Sequence, residues 1–152
     1  MINVHAICHE AGHAVVAMKF GIRVLGIGIE NSIPTIGLDI GGASLQKMCT
    51  VYAAGVAAER IAFGGNDSSA AAGDQRLIGK ATGGKLEDYI IDAEKIIQAE
   101  IECHKQLRMA MTANWADEEG SSGWHGAESE KLNQPLLSEA QIKAIWESCQ
   151  SN

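Results

Sequence analysis

The chain has no cysteine pair spaced C-x-x-C; its four cysteines, Cys8, Cys49, Cys103 and Cys149, are scattered along 152 residues. That spacing argues against a disulfide framework, so the thiols read as small buried apolar groups of a reducing compartment. Positive charge is also scarce: 12 Lys and Arg stand against 19 Asp and Glu, a net charge of −7. Nucleic acid and anionic membrane surfaces would meet the wrong sign, and the acidity reads as ordinary solubility. No apolar run reaches the roughly 18 residues that a membrane span needs. No signal peptide precedes the first motif, and the expectation is a soluble, cytoplasmic protein.

Two further absences matter. There is no internal repeat and no compositional break, so a single domain over residues 1–152 is expected, with 46% hydrophobic residues to build its core. There is no sound phosphate-binding loop either. Gly73-Asp-Gln-Arg-Leu-Ile-Gly79-Lys80-Ala81 has five residues between its glycines instead of four, and Ala81 where Ser or Thr must meet magnesium. No nucleotide site is expected.

What the chain does carry is His9-Glu10-Ala11-Gly12-His13, an H-E-x-x-H motif running into Ala14-Val15-Val16-Ala17. On a helix, at about 100° per residue, His9 and His13 fall one turn apart on one face, where two imidazoles can share a metal ion. Glu10 lies about 100° round from His9 and about 60° from His13. It flanks the metal without needing to bind it, where a general base acting on a metal-activated water should stand. Zinc suits such a site because it accepts imidazole nitrogen, has no redox chemistry and acidifies water. Gly12, with Ala11 and Ala14, leaves a bare surface that another element can approach closely.

Periodicity and breakers give the surrounding order. Residues 3–20 read as the first helix, with Asn3 as N-cap and Gly21 as its end. Residues 22–29 and 35–40 read as a hairpin turning at Asn31-Ser32 and Pro34. A second, alanine-rich helix covers 44–63, a loop covers 64–73, and a short helix runs from Asp74 to about Thr82. Residues 86–115 read as the longest helix, 117–134 as a surface loop, and 138–149 as a last helix with a Ser138–Gln141 capping box. The predicted class is mainly α with a small β-hairpin. A strand beside the motif helix would offer its edge to a peptide substrate.

A catalytic zinc expects a third protein ligand. His5 lies on the same stripe, but the outer pair of three i,i+4 histidines is about 12 Å apart and cannot share one ion. Cys8 turns about 100° away from His9. His104 and His125 are remote candidates, and Glu59 and Asp74 are the better acids. Glu59 sits among alanines, where a carboxylate needs a metal, an imidazole or Arg60 as partner. Asp74 closes a Gly-rich loop, where it can also cap the next helix.

Taken together, His9-Glu-Ala-Gly-His13-Ala, then Ala54-Gly-Val-Ala-Ala-Glu59-Arg-Ile-Ala-Phe-Gly64, then a Ser/Ala/Gly loop ending in Asp74 with Ala81-Thr82 beyond it, resemble the peptidase domain of FtsH-type ATP-dependent zinc proteases. The resemblance spans nearly the whole chain and includes Leu137-Ser-Glu-Ala-Gln-Ile142 near its end. It implies a mainly helical domain, zinc on His9, His13 and Asp74, Glu10 as catalytic base, and Glu59 supporting a ligand histidine. The chain departs from the family pattern at Arg60, where the family has a second acid, and in the spacing from Asp74 to Ala81-Thr82. From these residues neither an ATPase module nor a membrane anchor is expected. The expected activity is hydrolysis of peptides or unfolded protein, with a homo-oligomer or a partner ATPase left open. Hydrolysis of small amides, or a peptide-binding module without turnover, are the alternatives.

Overall fold

The computed structural model describes residues 2–30, 33–119 and 136–151. In chain order its elements are α1 (Val4–Lys19), β1 (Arg23–Glu30), β2 (Ile33–Asp39), α2 (Leu45–Phe63), α3 (Ser68–Thr82), α4 (Glu87–Ala99), α5 (Ile101–Glu119), β3 (Leu137–Ser138) and α6 (Glu139–Gln150). The class is mainly helical with one small antiparallel sheet. Among the described residues, no helix is long and apolar enough to cross a membrane.

α1 is the centre of the fold. Asn3 caps it, its side chain accepting from the Ala6 amide, a contact worth about 1 kcal/mol. From Ile7 to Ala17 every residue is buried except Glu10. A helix covered all round must be packed from several sides, and α1 meets α2, α4, α5 and both long strands. One close approach is at Gly12. A Cβ there would lie 2.6 Å from the Ala54 carbonyl oxygen and 2.7 Å from the Ala58 Cβ. Glycine on α1 and alanine on α2 together let the two backbones come this near.

The hairpin forms in the expected place and gains a partner. β1 pairs antiparallel with β2 from Arg23↔Asp39 to Glu30↔Ile33, with a bulge at Leu25. On its other side β1 pairs with β3 through Gly26 and Ile27. The sheet order is therefore β2-β1-β3, with β2 at an edge. Pro34 lies inside β2, opposite Ile29, and not in the turn; an edge strand tolerates its missing N–H.

Two other boundaries differ from expectation. Residues 64–73 are only partly a loop. Asp67 caps α3 by accepting from the amides of Ser69 and Ala70, so the helix starts at Ser68 and Asp74 lies inside it. The Gly73–Ala81 stretch is accordingly helical. The predicted 86–115 helix is two helices, broken at Glu100 (φ −113°, ψ 31°). No glycine or proline marks the break. Glu100 is instead bonded by Lys19 (3.3 Å) and Gln150 (2.9 Å), so the bend is fixed by packing. α5 also continues to Glu119, past the expected loop start at 117. The rest of that loop, with Trp124 and His125, lies outside the described residues. α6 carries the predicted capping box between Ser138 and Gln141.

Candidate metal centre

The two motif histidines are buried on α1, at 4% and 5% exposure. Their rings stand edge to face with centroids 4.7 Å apart. Each has its Nδ1 occupied. The His13 Nδ1 lies 2.6 Å from the Val51 carbonyl oxygen on α2. A carbonyl only accepts, so this nitrogen carries the proton. The His9 Nδ1 lies 2.9 Å from Glu59 Oε1 and donates to it. Glu59, 1% exposed, accepts a second bond at Oε2 from the Asp67 amide at 2.6 Å.

These bonds leave the Nε2 lone pair of both rings free, and both meet Asp74. Its Oδ2 lies 2.9 Å from His9 Nε2 and 3.6 Å from His13 Nε2. With both protons held on Nδ1, that oxygen is a buried acceptor facing two acceptors, and it has no hydrogen-bond partner. Such a convergence is costly unless a cation or a proton enters it. The three ligand atoms lie within 4.8 Å of one another. A tetrahedral ion with bonds of about 2.1 Å separates its ligands by about 3.4 Å, a value between the two observed contacts. The group fits a metal ion.

The protonation energetics agree with this. Burial would lower the His13 pKa, but Asp74, with Glu10 and the Val51 carbonyl, outweighs it and raises it to about 9. Burial would raise Asp74, but His13 and His9 hold it down at about 2. The same electrostatics favour a cation at this position. Glu10, half-buried at the rim of this group, has its pKa raised by burial, against the opposing pull of His13 and His9.

Metal and proton compete for the same lone pair on His13, which sets a pH dependence. In the metal-free protein, the His13 proton adds stability that is complete below its unfolded value of 6.5 and is lost as pH rises through about 9. Asp74 contributes above 3.8 and loses its contribution as pH falls towards about 2. Metal-free protein should therefore lose thermal stability between pH 6.5 and 9, while the rise in Tm on adding metal grows over the same interval. Melting curves at each pH, with and without metal, check this. A metal-free protein that gained stability over that window would contradict the assignment of Asp74 as the partner of His13.

One residue that builds the site had no clear sequence signal. Gly55 lies on the face of α2 that carries Glu59, and the His9 ring rests directly on its backbone. A Cβ there would overlap His9 Nε2, Cδ2 and Cε1. Alanine is the better helix former by about 1 kcal/mol, so Gly55→Ala should preserve helix content. It should nevertheless cut metal affinity at least tenfold by turning the ring away, as a chelator-competition titration would read. Unchanged affinity would mean that the His9 ring adapts. Tyr52, one turn earlier on that face, was also not singled out by sequence. Its phenol is raised by burial, with further contributions from Cys49 and from Asp74.

The remaining sequence candidates fall elsewhere. The His104 Nε2 donates to the Cys8 carbonyl at 3.0 Å, on the α5 side of α1, and burial lowers its pKa to about 4. The Cys8 thiol lies 3.9 Å from that ring and is pushed up to about 12 by burial. Neither joins the His9–His13–Asp74 group. Arg60 does not partner Glu59; it bonds Asn66 and Glu87. Among known proteins, no family model, no curated protein and no solved structure matches the chain.

Proposed function

We propose that the chain is a zinc metallopeptidase of the FtsH-protease type. The observation that carries this reading is the convergence of His9 Nε2, His13 Nε2 and Asp74 Oδ2, with Glu10 beside them. Their donor set, two neutral imidazoles and one carboxylate, is the set zinc takes when a position is kept open for reaction. Zinc held there supplies a Lewis acid that polarises a scissile carbonyl and acidifies a water. Glu10 takes the proton from the attacking water and delivers it to the leaving amine. Its half-buried carboxyl, raised by desolvation, suits both steps. Glu59 and the Val51 carbonyl hold the ligand rings in one tautomer.

A peptide is favoured over a small amide by β2. It packs against α1, and its outer edge pairs with no strand among the described residues. A free edge recognises several residues of extended backbone. Folded domains offer such backbone only at termini, loop tips or through local unfolding. The expected activity is ATP-independent cleavage of short peptides or loosely folded protein, with little action on a tightly folded one. Four free cysteines are consistent with the reducing cytoplasm. The test compares an unfolded and a stable folded substrate, each with and without ATP and with a zinc chelator. Cleavage seen only with ATP would point to a partner ATPase. No cleavage of any substrate by zinc-loaded protein would leave a peptide-binding module.

A further inference from the structure

One histidine of α1 has no part in the metal group and is oddly placed. His5 stands one turn before His9. Its ring stacks on Phe63, at the end of α2, with centroids 4.0 Å apart and planes 28° from parallel. Its side chain is 44% exposed, yet Nδ1 is buried, has no hydrogen-bond partner and points at Glu59 Oε2 from 3.7 Å. That distance is too long for a hydrogen bond. It is well within range of an ion pair once the ring is charged.

Glu59 connects this outer ring to the metal centre. One of its oxygens takes the His9 Nδ1 proton, and the other faces His5 and accepts the Asp67 amide. We propose that His5 is a positioning residue that acts through Glu59 and sets, by its own protonation, how strongly His9 binds the metal. The proposal rests on the metal reading given above.

The charged groups about His5 are Glu59 from α2 and Asp67 from the cap of α3. The Ser69 hydroxyl and amide hold Asp67 below the usual carboxylate range. Both are acids, and Glu59 Oε2 is the nearer to the ring nitrogen. When His5 is neutral, the full charge of Glu59 acts on the His9 Nδ1–H and makes His9 a better donor at Nε2. When His5 is protonated, Glu59 divides its charge between two cationic or polarised rings, and the added positive charge opposes the metal. Histidine ordinarily changes charge between about pH 5 and 8, and the exposed edge of the ring gives the proton access. Phe63 keeps the ring stacked in place in either state.

The experiment measures zinc affinity by competition with a chromophoric chelator from pH 5.5 to 8, on the whole chain. It compares the native protein with His5→Gln, which is never charged, and His5→Lys, which is always charged. Circular dichroism verifies that each is folded, as expected for a side chain this exposed. The native protein and His5→Gln should agree at pH 8, and His5→Gln should bind zinc about 3- to 10-fold more tightly at pH 5.5. The slope of log affinity against pH should be smaller for His5→Gln. His5→Lys should bind more weakly than the native protein at pH 8. Three superimposable pH curves, or a loss in His5→Gln that is equal at every pH, would overturn the proposal while leaving the metal site intact. Failure of the native protein to bind zinc at all would overturn both.

Discussion

Glu10→Gln is expected to keep its metal and lose hydrolysis by a factor on the order of 10² or more. The substitution preserves the shape and removes the group that accepts a proton. The three candidate ligand atoms come from His9, His13 and Asp74, so the Glu10 carboxylate supplies none of them. Glutamine is neutral, which spares the rim the cost of a half-buried charge. The protein should therefore be as stable as the native one, or slightly more so. Elemental analysis of the purified variant, together with peptide turnover, separates the roles. If the metal left with the carboxylate, Glu10 would be a ligand and the proton-transfer role would have to be reassigned.

Asp74→Ala should strip the metal almost completely, whereas Glu59→Ala should weaken retention by about 10–100-fold. Asp74 Oδ2 is the atom that both Nε2 nitrogens meet. Without it only two imidazoles remain, too few for a catalytic ion. Glu59 touches His9 on the far nitrogen, so its loss frees the ring to reorient but removes no ligand. Asp74→Ala should also lower the His13 pKa, because burial then acts unopposed by the carboxylate that raises it. Zinc content after dialysis and the NMR titration of His13 report the two effects. A greater loss of zinc in Glu59→Ala would transfer the ligand role to α2.

The parts of this protein that sequence made legible are those governed by local chemistry. Asn3 and Ser138 cap helices where their side chains can reach the first free amides. The motif puts its two histidines on one face because the helical repeat requires it. The bare surface at Gly12 is a place where α2 comes close. What stayed hidden is set by contacts between distant segments. The Ser/Ala/Gly run before Asp74 has loop composition, but Asp67 caps it and Glu59 receives the Asp67 amide, so a helix starts early. The bend at Glu100 depends on Lys19 and Gln150, far away in sequence. β3 is two residues long and exists only through pairing with β1. Gly55 looks like one more small residue in an alanine-rich helix until the His9 ring is seen lying on it. Asp74 and Glu59 could not be ranked by residue type alone. Their distances to the two sides of His9 rank them.

The three candidate ligands belong to helices of very different security. His9 and His13 are on α1, where nearly every residue is covered. Asp74 is on α3, where along fifteen residues only Asp74 itself and Ile78 are buried. With so little of it covered, α3 should open locally at a lower cost than α1. An ion bound across the two joins a loosely held segment to the most deeply held one. Its binding would favour the state in which α3 is closed onto α2. Metal capture and metal loss would then follow the opening and closing of this one helix, with α1 as a fixed jaw and Asp74 as the moving one. The ion would act as a latch, and the opening of α3 would set how long it stays shut.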